Sequence, residues 1–386
     1  MGRAYGTCYT ERVRHHVYLV PGFFGFANFG DFRYFAHVRE HLDAWTRARG
    51  IDASIHYAPT FPTASLRRRA GRLVEIIAET AGSEGPIHLV GHSTGGLDAR
   101  LAVAPGASLR TSVDPEPIAR RVRTIVAVTS PHYGAPTAAF FSSLLGQRLL
   151  FLLSLITIQA IRVGTIPMPA IVLLASALGS AGAGRLVSGG LVEQVYELVL
   201  RDFGPERRAQ IEKVFEEVQR DQTLLVQLTP ESLDLFNALA TEREGVRRGC
   251  VVAQAQPPSL VRQLRVGPNP THQAMYNVYR ALHTLASTLP EEVLPEPTPE
   301  QARVLSRAYG RVPTARGNDA MVPTRAQVWG EIVHAAWADH LDVIGHFHAP
   351  DLAPVHVDWM RTMSGFGMRE FEAMWDDVAA FTFGRG

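Results

Sequence analysis

Residues 87 to 100 read IHLVGHSTGGLDAR. Ile87, Leu89 and Val90 have the pattern of a short buried strand, and Leu97 and Leu101 with their alanines that of a helix. Gly91, Ser93, Gly95 and Gly96 lie at the joint. A strand that turns at once into a helix passes through a cramped backbone conformation. If the apex residue carries a side chain, its neighbours two positions away must nearly lack one. That geometry lifts the apex hydroxyl clear of the sheet, at a helix N-terminus; it is the G-x-S-x-G nucleophile elbow. Gly96 would let the helix pack close to the sheet. Ser93 as a plain helix N-cap in a Gly-rich turn is the competing reading. Partners elsewhere in the chain decide between them.

Around the elbow, strand and helix patterns alternate. HVYLV at 16–20, Ser54 to Tyr57 and TIVAV at 124–128 read as strands. Phe32 to Arg49 and residues 65–80 read as amphipathic helices. In the second, Leu66, Leu73 and Ile77 form one face, with Arg67, Arg68, Arg69 and Arg72 opposite, as a solvated face or an anion site. CVVAQ at 250–254 resumes the strands, 271–287 reads as a helix and the Pro/Glu-rich 290–300 as a surface loop. The alternation implies an α/β fold with a mainly parallel sheet flanked by helices. Ligand chemistry in such a sheet sits at the carboxyl ends of its strands, where Ser93 falls.

The text changes after residue 136. Between Thr124 and Gly184 the only charged residues are Arg148 and Arg162. The apolar run 149–161 has 13 residues and the next is broken by Pro167 and Pro169, both too short to span a membrane. Ile211, Val214, Phe215 and Val218 recur at helical spacing within 205–221. The division is a core segment at 1–136, a helical insertion at 137–248 and a second core segment at 249–386. The insertion's apolar part reads as a buried core helix, as a lid touching a lipid surface, or as both.

A net charge of +1 gives no case for nucleic acid, and no obligate protein partner is evident. Lys213 is the only lysine, which argues against lysine nucleophiles elsewhere. Cys8 and Cys250 lack metal-site spacing and read as two buried thiols. The N-terminus lacks a basic end followed by an apolar run, so the expected protein is cytoplasmic, with peripheral contact at a membrane, or one trimmed of its leader.

A serine hydroxyl needs a base to take its proton, and the base needs a carboxylate to fix its tautomer. After such an elbow the chain order is Ser, then Asp or Glu, then His. ARGNDAMVP puts Asp319 in a small-residue loop, and WADHLDVI puts His340 after the apolar run 332–337. His346 and His348 rival His340; His334 falls in the presumed strand, His356 lies further on, and Asp339 rivals Asp319. The oxyanion needs two N–H donors. Thr94 follows the nucleophile, and in LVPGFFGF Gly22 turns the chain so that Phe23 offers its N–H. Phe23, Phe24 and Phe26 would then surround an acyl chain.

Taken in order, VYLVPGFFG, HLVGHSTGGLDAR, AVTSPHYGAP, LTPESLDLFN, GNDAMVP and VWGEIVHAAWADHLDVI resemble segments of bacterial triacylglycerol lipases of the α/β-hydrolase fold, the Pseudomonas and Burkholderia type. Pro21 stands where they usually have His, and Ala320 where Gly is common. The resemblance implies a lid, a triad of Ser93, Asp319 and His340, oxyanion donors at Phe23 and Thr94, and His132 at the substrate. It implies a serine hydrolase of lipid-like or bulky carboxylic esters with no cofactor. An acyltransferase with the same triad, or a membrane-surface protein with little activity, is the alternative. The family often holds calcium near the histidine loop through two aspartates. Asp342 matches one, but 245–318 contains no aspartate, so no tight metal site is expected and Asp342 is read as a helix cap or an arginine's partner.

Overall fold

The computed structural model describes residues 13–23, 34–142, 168–179, 220–349, 358 and 360–384, with scattered positions between 197 and 216. Phe24, Phe26, Cys8, the run 149–161, His356 and the four apolar positions of 205–221 lie outside the described residues.

The chain forms β1 (His15–Val20), α1 (Val38–Ala48), β2 (Ala53–Tyr57), α2 (Leu66–Thr80), β3 (Ile87–His92), α3 (Thr94–Val103) and a single turn, α4 (Glu116–Ala119). Then come β4 (Val122–Val128), α5 (Pro136–Phe141), α6 (Met168–Gly179), α7 (Thr223–Gln227), α8 (Pro230–Leu239) and β5 (Arg247–Ala253). The last part is α9 (Leu260–Arg265), α10 (Pro270–Ala286), α11 (Pro299–Tyr309), β6 (Glu331–Ala336) and α12 (Met368–Phe383). Among the described residues the strands make one six-stranded sheet in the order β2-β1-β3-β4-β5-β6. Each neighbouring pair is parallel.

Strand alternation builds two cores. Val17, Leu19, Val90, Val126, Val128 and Val251 pack on one face. Tyr18, Val20, Leu89, Ile125, Ala127 and Val252 pack on the other. With both faces covered, the central strands need apolar residues at nearly every position, which is why they read as continuous runs. Residues of α1, α10 and α12 join the first layer, and residues of α2, α3 and α11 the second. Among the described residues no helix is long and apolar enough to cross a membrane.

The sheet matches its sequence reading, with each strand shifted by a few residues at most. The stretch 290–300 is less of a loop than expected. It holds a short 3-10 turn at Glu291–Val293 and the start of α11. Thr298 and Gln301 close a capping box there, with Pro299 at the first helical position, a T-x-x-Q start signal present in the sequence. Helix α12 went unread; its Phe371, Met374, Trp375 and Val378 are buried at helical spacing. Cys250 is buried and free, and burial pushes its thiol up to about 12.

Strand order places the site. It reverses between β1 and β3, where Val20 pairs with Gly91, so the loops leaving these two strands emerge side by side. The elbow needs its glycines there. A Cβ on Gly91 would lie 2.3 Å from the Gly95 carbonyl carbon. One on Gly95 would lie 2.2 Å from the Val20 carbonyl oxygen, and one on Gly96 2.1 Å from Ser130 Oγ. Gly95→Ala is therefore expected to cost about 3 kcal/mol or more, because the obstacle is backbone that cannot rotate away. The midpoint of urea unfolding checks this; a midpoint equal to the native one would contradict the crowding.

Candidate active site

Ser93 stands at the apex with φ 55° and ψ −128°. Such a conformation costs a non-glycine residue about 1–3 kcal/mol and persists only where its surroundings enforce it. Here the Ser93 N–H donates to the Val128 carbonyl at 2.8 Å, which ties the apex to β4. The N-cap reading does not hold, since the Ser93 side chain makes no capping hydrogen bond to α3.

Asp319 and His340, 21 residues apart, come together with His340 Nδ1 2.7 Å from Asp319 Oδ2. The His340 N–H also donates to the Asp319 carbonyl at 3.0 Å. Asp319 Oδ1 accepts from the N–H groups of Met321 at 2.9 Å and Val322 at 2.7 Å. Its Oδ2 accepts from Gln327 Nε2 at 3.1 Å. Donors on both oxygens fix the carboxylate in direction. Ala320 adopts φ 80° in this turn, a left-handed conformation that residues other than glycine rarely take.

Ser93, Thr94, Phe23 and His340 line one pocket of about 430 Å³. Pro131, Ala138, Phe141, Leu225, Leu228, Met321 and Val322 supply its largely apolar walls. Parts of α5 and α7, from the 137–248 segment, thus border the same space as the triad candidates.

The rival residues are engaged elsewhere. His346 Nε2 donates to the Tyr34 carbonyl at 3.0 Å. His348 is exposed beside Arg361, and His334 pairs with Asp377. Asp339 is buried and accepts from the N–H groups of Leu341 and Asp342 and from Thr362. His132 does not line the pocket. It is buried and stacked on Trp329, with Nδ1 3.0 Å from an Arg100 Nη1 donor.

The sequence reading missed three residues. Arg69, placed on a solvated face, is fully buried. Its guanidinium forks onto Asp98 at 2.7 to 3.1 Å and donates to the carbonyls of Pro21 at 3.0 Å and Gly22 at 3.3 Å, and to Thr94 Oγ1 at 3.3 Å. Its spacing of three from Leu66 and four from Leu73 was the available signal, since both lie on the buried face. Tyr34 and His92 form the second device. The Gly22 N–H donates to the Tyr34 hydroxyl at 2.9 Å, which stands 2.6 Å from His92 Nδ1. His92 Nε2 lies 2.9 Å from the His340 carbonyl oxygen. Burial, then the neighbouring His340, drives the His92 pKa well below its ordinary value, so the ring is neutral.

Asp342 neither caps a helix with its side chain nor pairs with an arginine. Its Oδ2 accepts from the Asp339 N–H at 3.0 Å and from Ser364 at 2.8 Å. Asp339, Asp342 and Asp358 are buried near one another. Among the described residues no group of His, Cys, Asp or Glu is disposed to hold a metal.

Among solved structures, the chain is similar to the lipase of Staphylococcus hyicus, with a TM-score of 0.50 and 15% identity over 95% of each chain. It is also similar to EstA from Clostridium botulinum, with a TM-score of 0.49 and 15% identity over 95% of this chain and 87% of that one. A metagenomic carboxyl esterase gives 0.48 and 16% over 97% and 76%. No family model matches the chain, and no curated protein matches its sequence. At such identities the likeness is one of fold: an α/β fold with a parallel sheet flanked by helices.

Burial, and then the charge of Asp358, push Asp339 up to about 7. Burial and both neighbouring carboxylates hold Asp342 well above the ordinary range. An unfolded aspartate titrates near 3.9, roughly. The folded chain thus keeps protons that the unfolded chain has released, and this contribution is present at low pH and lost as pH rises toward about 7. Relative to the native protein, Asp342→Asn is expected to melt progressively higher as pH rises from about 5 to about 8. Paired scans of melting temperature against pH check this; a gap between variant and native protein that narrows as pH rises would refute it.

Proposed function

We propose that the protein is a serine hydrolase of carboxylic esters with an apolar acyl group. One observation carries the reading: a histidine held by a buried carboxylate at 2.7 Å shares an apolar pocket with a serine in an enforced, strained turn. The resemblance of the sequence segments adds to it.

In this reading His340 Nε2 takes the Ser93 proton as Oγ attacks the ester carbonyl. Asp319 fixes the tautomer with the proton on Nδ1 and stabilises the imidazolium. The N–H groups of Phe23 and Thr94 receive the oxyanion, and preorganised donors there lower the barrier without reorganising. The tetrahedral intermediate collapses, the ester C–O bond breaks and His340 gives its proton to the leaving alkoxide. Water, deprotonated by the same ring, then releases the acid and restores Ser93. The protein's share is positioning: Arg69 holds the carbonyls of Pro21 and Gly22 and the hydroxyl of Thr94, so both proposed donors sit on one clamp. The apolar walls favour acyl groups longer than acetyl, and the 137–248 segment is proposed as a lid over them.

A p-nitrophenyl ester series from short to long chains tests the proposal. Ser93→Ala is expected to lower kcat by about 10⁴-fold or more, and Asp319→Asn by about 10⁴-fold. Turnover should rise beyond the shortest esters. Native-level turnover in Ser93→Ala would overturn the assignment. An added alcohol acceptor separates hydrolysis, read as free acid, from acyl transfer.

A further inference from the structure

Helix α9 is at odds with the rest of the fold. None of its six side chains is buried. Leu260 is 77% exposed, Val261 60% and Leu264 80%. Positions i, i+1 and i+4 share one face of a helix, so these three make one apolar knob rather than scattered exceptions. The knob is held firmly. Ser259 caps the helix through the Arg262 N–H. The Ser259 N–H donates to the Tyr276 hydroxyl at 2.8 Å, and Gln273 Nε2 donates to the carbonyls of Gln263 at 2.9 Å and Gly267 at 2.7 Å. A fold that fixes three large apolar side chains in solvent, by hydrogen bonds to a buried helix, presents them to something.

Charge indicates what. From residue 245 to residue 290 the chain has no Asp or Glu, while it carries Arg247, Arg248, Arg262, Arg265 and Arg280. Arg265 is exposed and lies four residues from Val261, on the knob's side of the helix, whereas Arg262 lies on the other side. Arg262 donates only to the neutral groups of Gln256, Pro257 and Ser259, and among the described residues neither arginine forms an ion pair. An apolar tip beside an exposed arginine, in a stretch without acidic residues, suits an anionic phospholipid surface, where leucines enter the acyl boundary and a guanidinium group meets phosphate. Location agrees. Helix α9 follows the carboxyl end of β5, the sheet edge that also carries Ser93. Helix α10 packs on α5, whose Ala138 and Phe141 line the pocket.

We infer that α9 is a docking element that seats the protein, pocket edge first, on an anionic lipid surface. The inference deepens the proposed esterase reading by placing the site at its substrate's phase, and rests on that reading for its purpose. Docking itself is independent of turnover. The surface lies outside the proposed lid.

Cosedimentation of the full chain with vesicles of equimolar phosphatidylcholine and phosphatidylglycerol, and with phosphatidylcholine alone, tests it. The native protein should bind the mixed vesicles and bind the neutral ones far less. Leu260→Ser with Leu264→Ser should weaken binding about tenfold or more. Arg265→Gln should weaken binding to the mixed vesicles about fivefold. All variants should keep the native melting temperature and the native turnover of a short soluble ester, since the altered side chains touch no core. Serine variants that bind like the native protein, or equal native binding to both vesicles, would overturn the inference. So would a native dimer in gel filtration that Leu264→Ser splits, because the knob would then meet a second copy of the chain. Binding that persists in Ser93→Ala, beside native-level turnover in the same variant, would remove the esterase reading and leave the docking intact.

Discussion

The structure depends on one close approach. The carbonyl of Val20, at the end of β1, runs so near the first turn of α3 that Gly95 has no room for a methyl group. Parallel pairing of β1 with β3 sets this distance, and the positive φ of Ser93 follows from it. A wider approach would let the chain relax at the apex and drop the hydroxyl toward the sheet. Crowding also brings the Pro21–Gly22–Phe23 loop against the apex, since a Cβ on Gly22 would lie 2.6 Å from the Cβ of Ser93. One contact between two backbones thus positions a proposed nucleophile and a proposed oxyanion donor together.

Such crowding must be held against thermal relaxation, and Arg69 holds it. A buried guanidinium is costly to desolvate, and its attraction to a carboxylate often only offsets that cost. The pair with Asp98 is therefore weak grounds for added stability. Its value is geometric. Burial raises Asp98 to about 6 against the downward pull of Arg69, and the guanidinium gives its remaining donors to the carbonyls of Phe61, Pro62, Pro21 and Gly22 and to the Thr94 hydroxyl. Removing either partner would leave a buried group unpaired, a change that costs about 3–5 kcal/mol. The two loops are locked to one rigid plane from behind, out of reach of water.

Much of this was legible in the sequence because it rests on local pattern. Buried parallel strands read as apolar runs, and the elbow as small residues at fixed spacing about Ser93. Asp319 and His340 could be picked from chain order and loop context. What escaped rests on contacts between distant segments. Arg69 reads as a surface residue because charge outweighs spacing in a helical reading; only its place on the Leu66–Leu73 face marks it as buried. His132 sits in a motif beside the site, yet Arg100 and Trp329 hold its ring on the far side. Asp342 reads as a helix cap or an arginine's partner, and only the fold brings the Asp339 N–H and the Ser364 hydroxyl onto its Oδ2. Helix α12 lies beyond the last motif, and its burial depends on α1 and β6, which lie far away in sequence.

The line from Gly22 to His340 shows how such distant contacts set chemistry. A carbonyl oxygen only accepts, so the hydrogen bond from His92 to the His340 carbonyl puts the His92 proton on Nε2. The neutral ring then has a bare Nδ1, which accepts from the Tyr34 hydroxyl. The Tyr34 oxygen in turn accepts from the Gly22 N–H. Every hydrogen in the series runs one way up to Nδ1, and the ring carries the connection on to the histidine loop. Protonating His92 would place a donor opposite the Tyr34 hydroxyl and force that hydroxyl to turn, and burial of the ring opposes this strongly. The loop that offers Phe23 and the loop that carries His340 are therefore joined through the residue just before Ser93, by hydrogen bonds whose direction a single buried tautomer fixes.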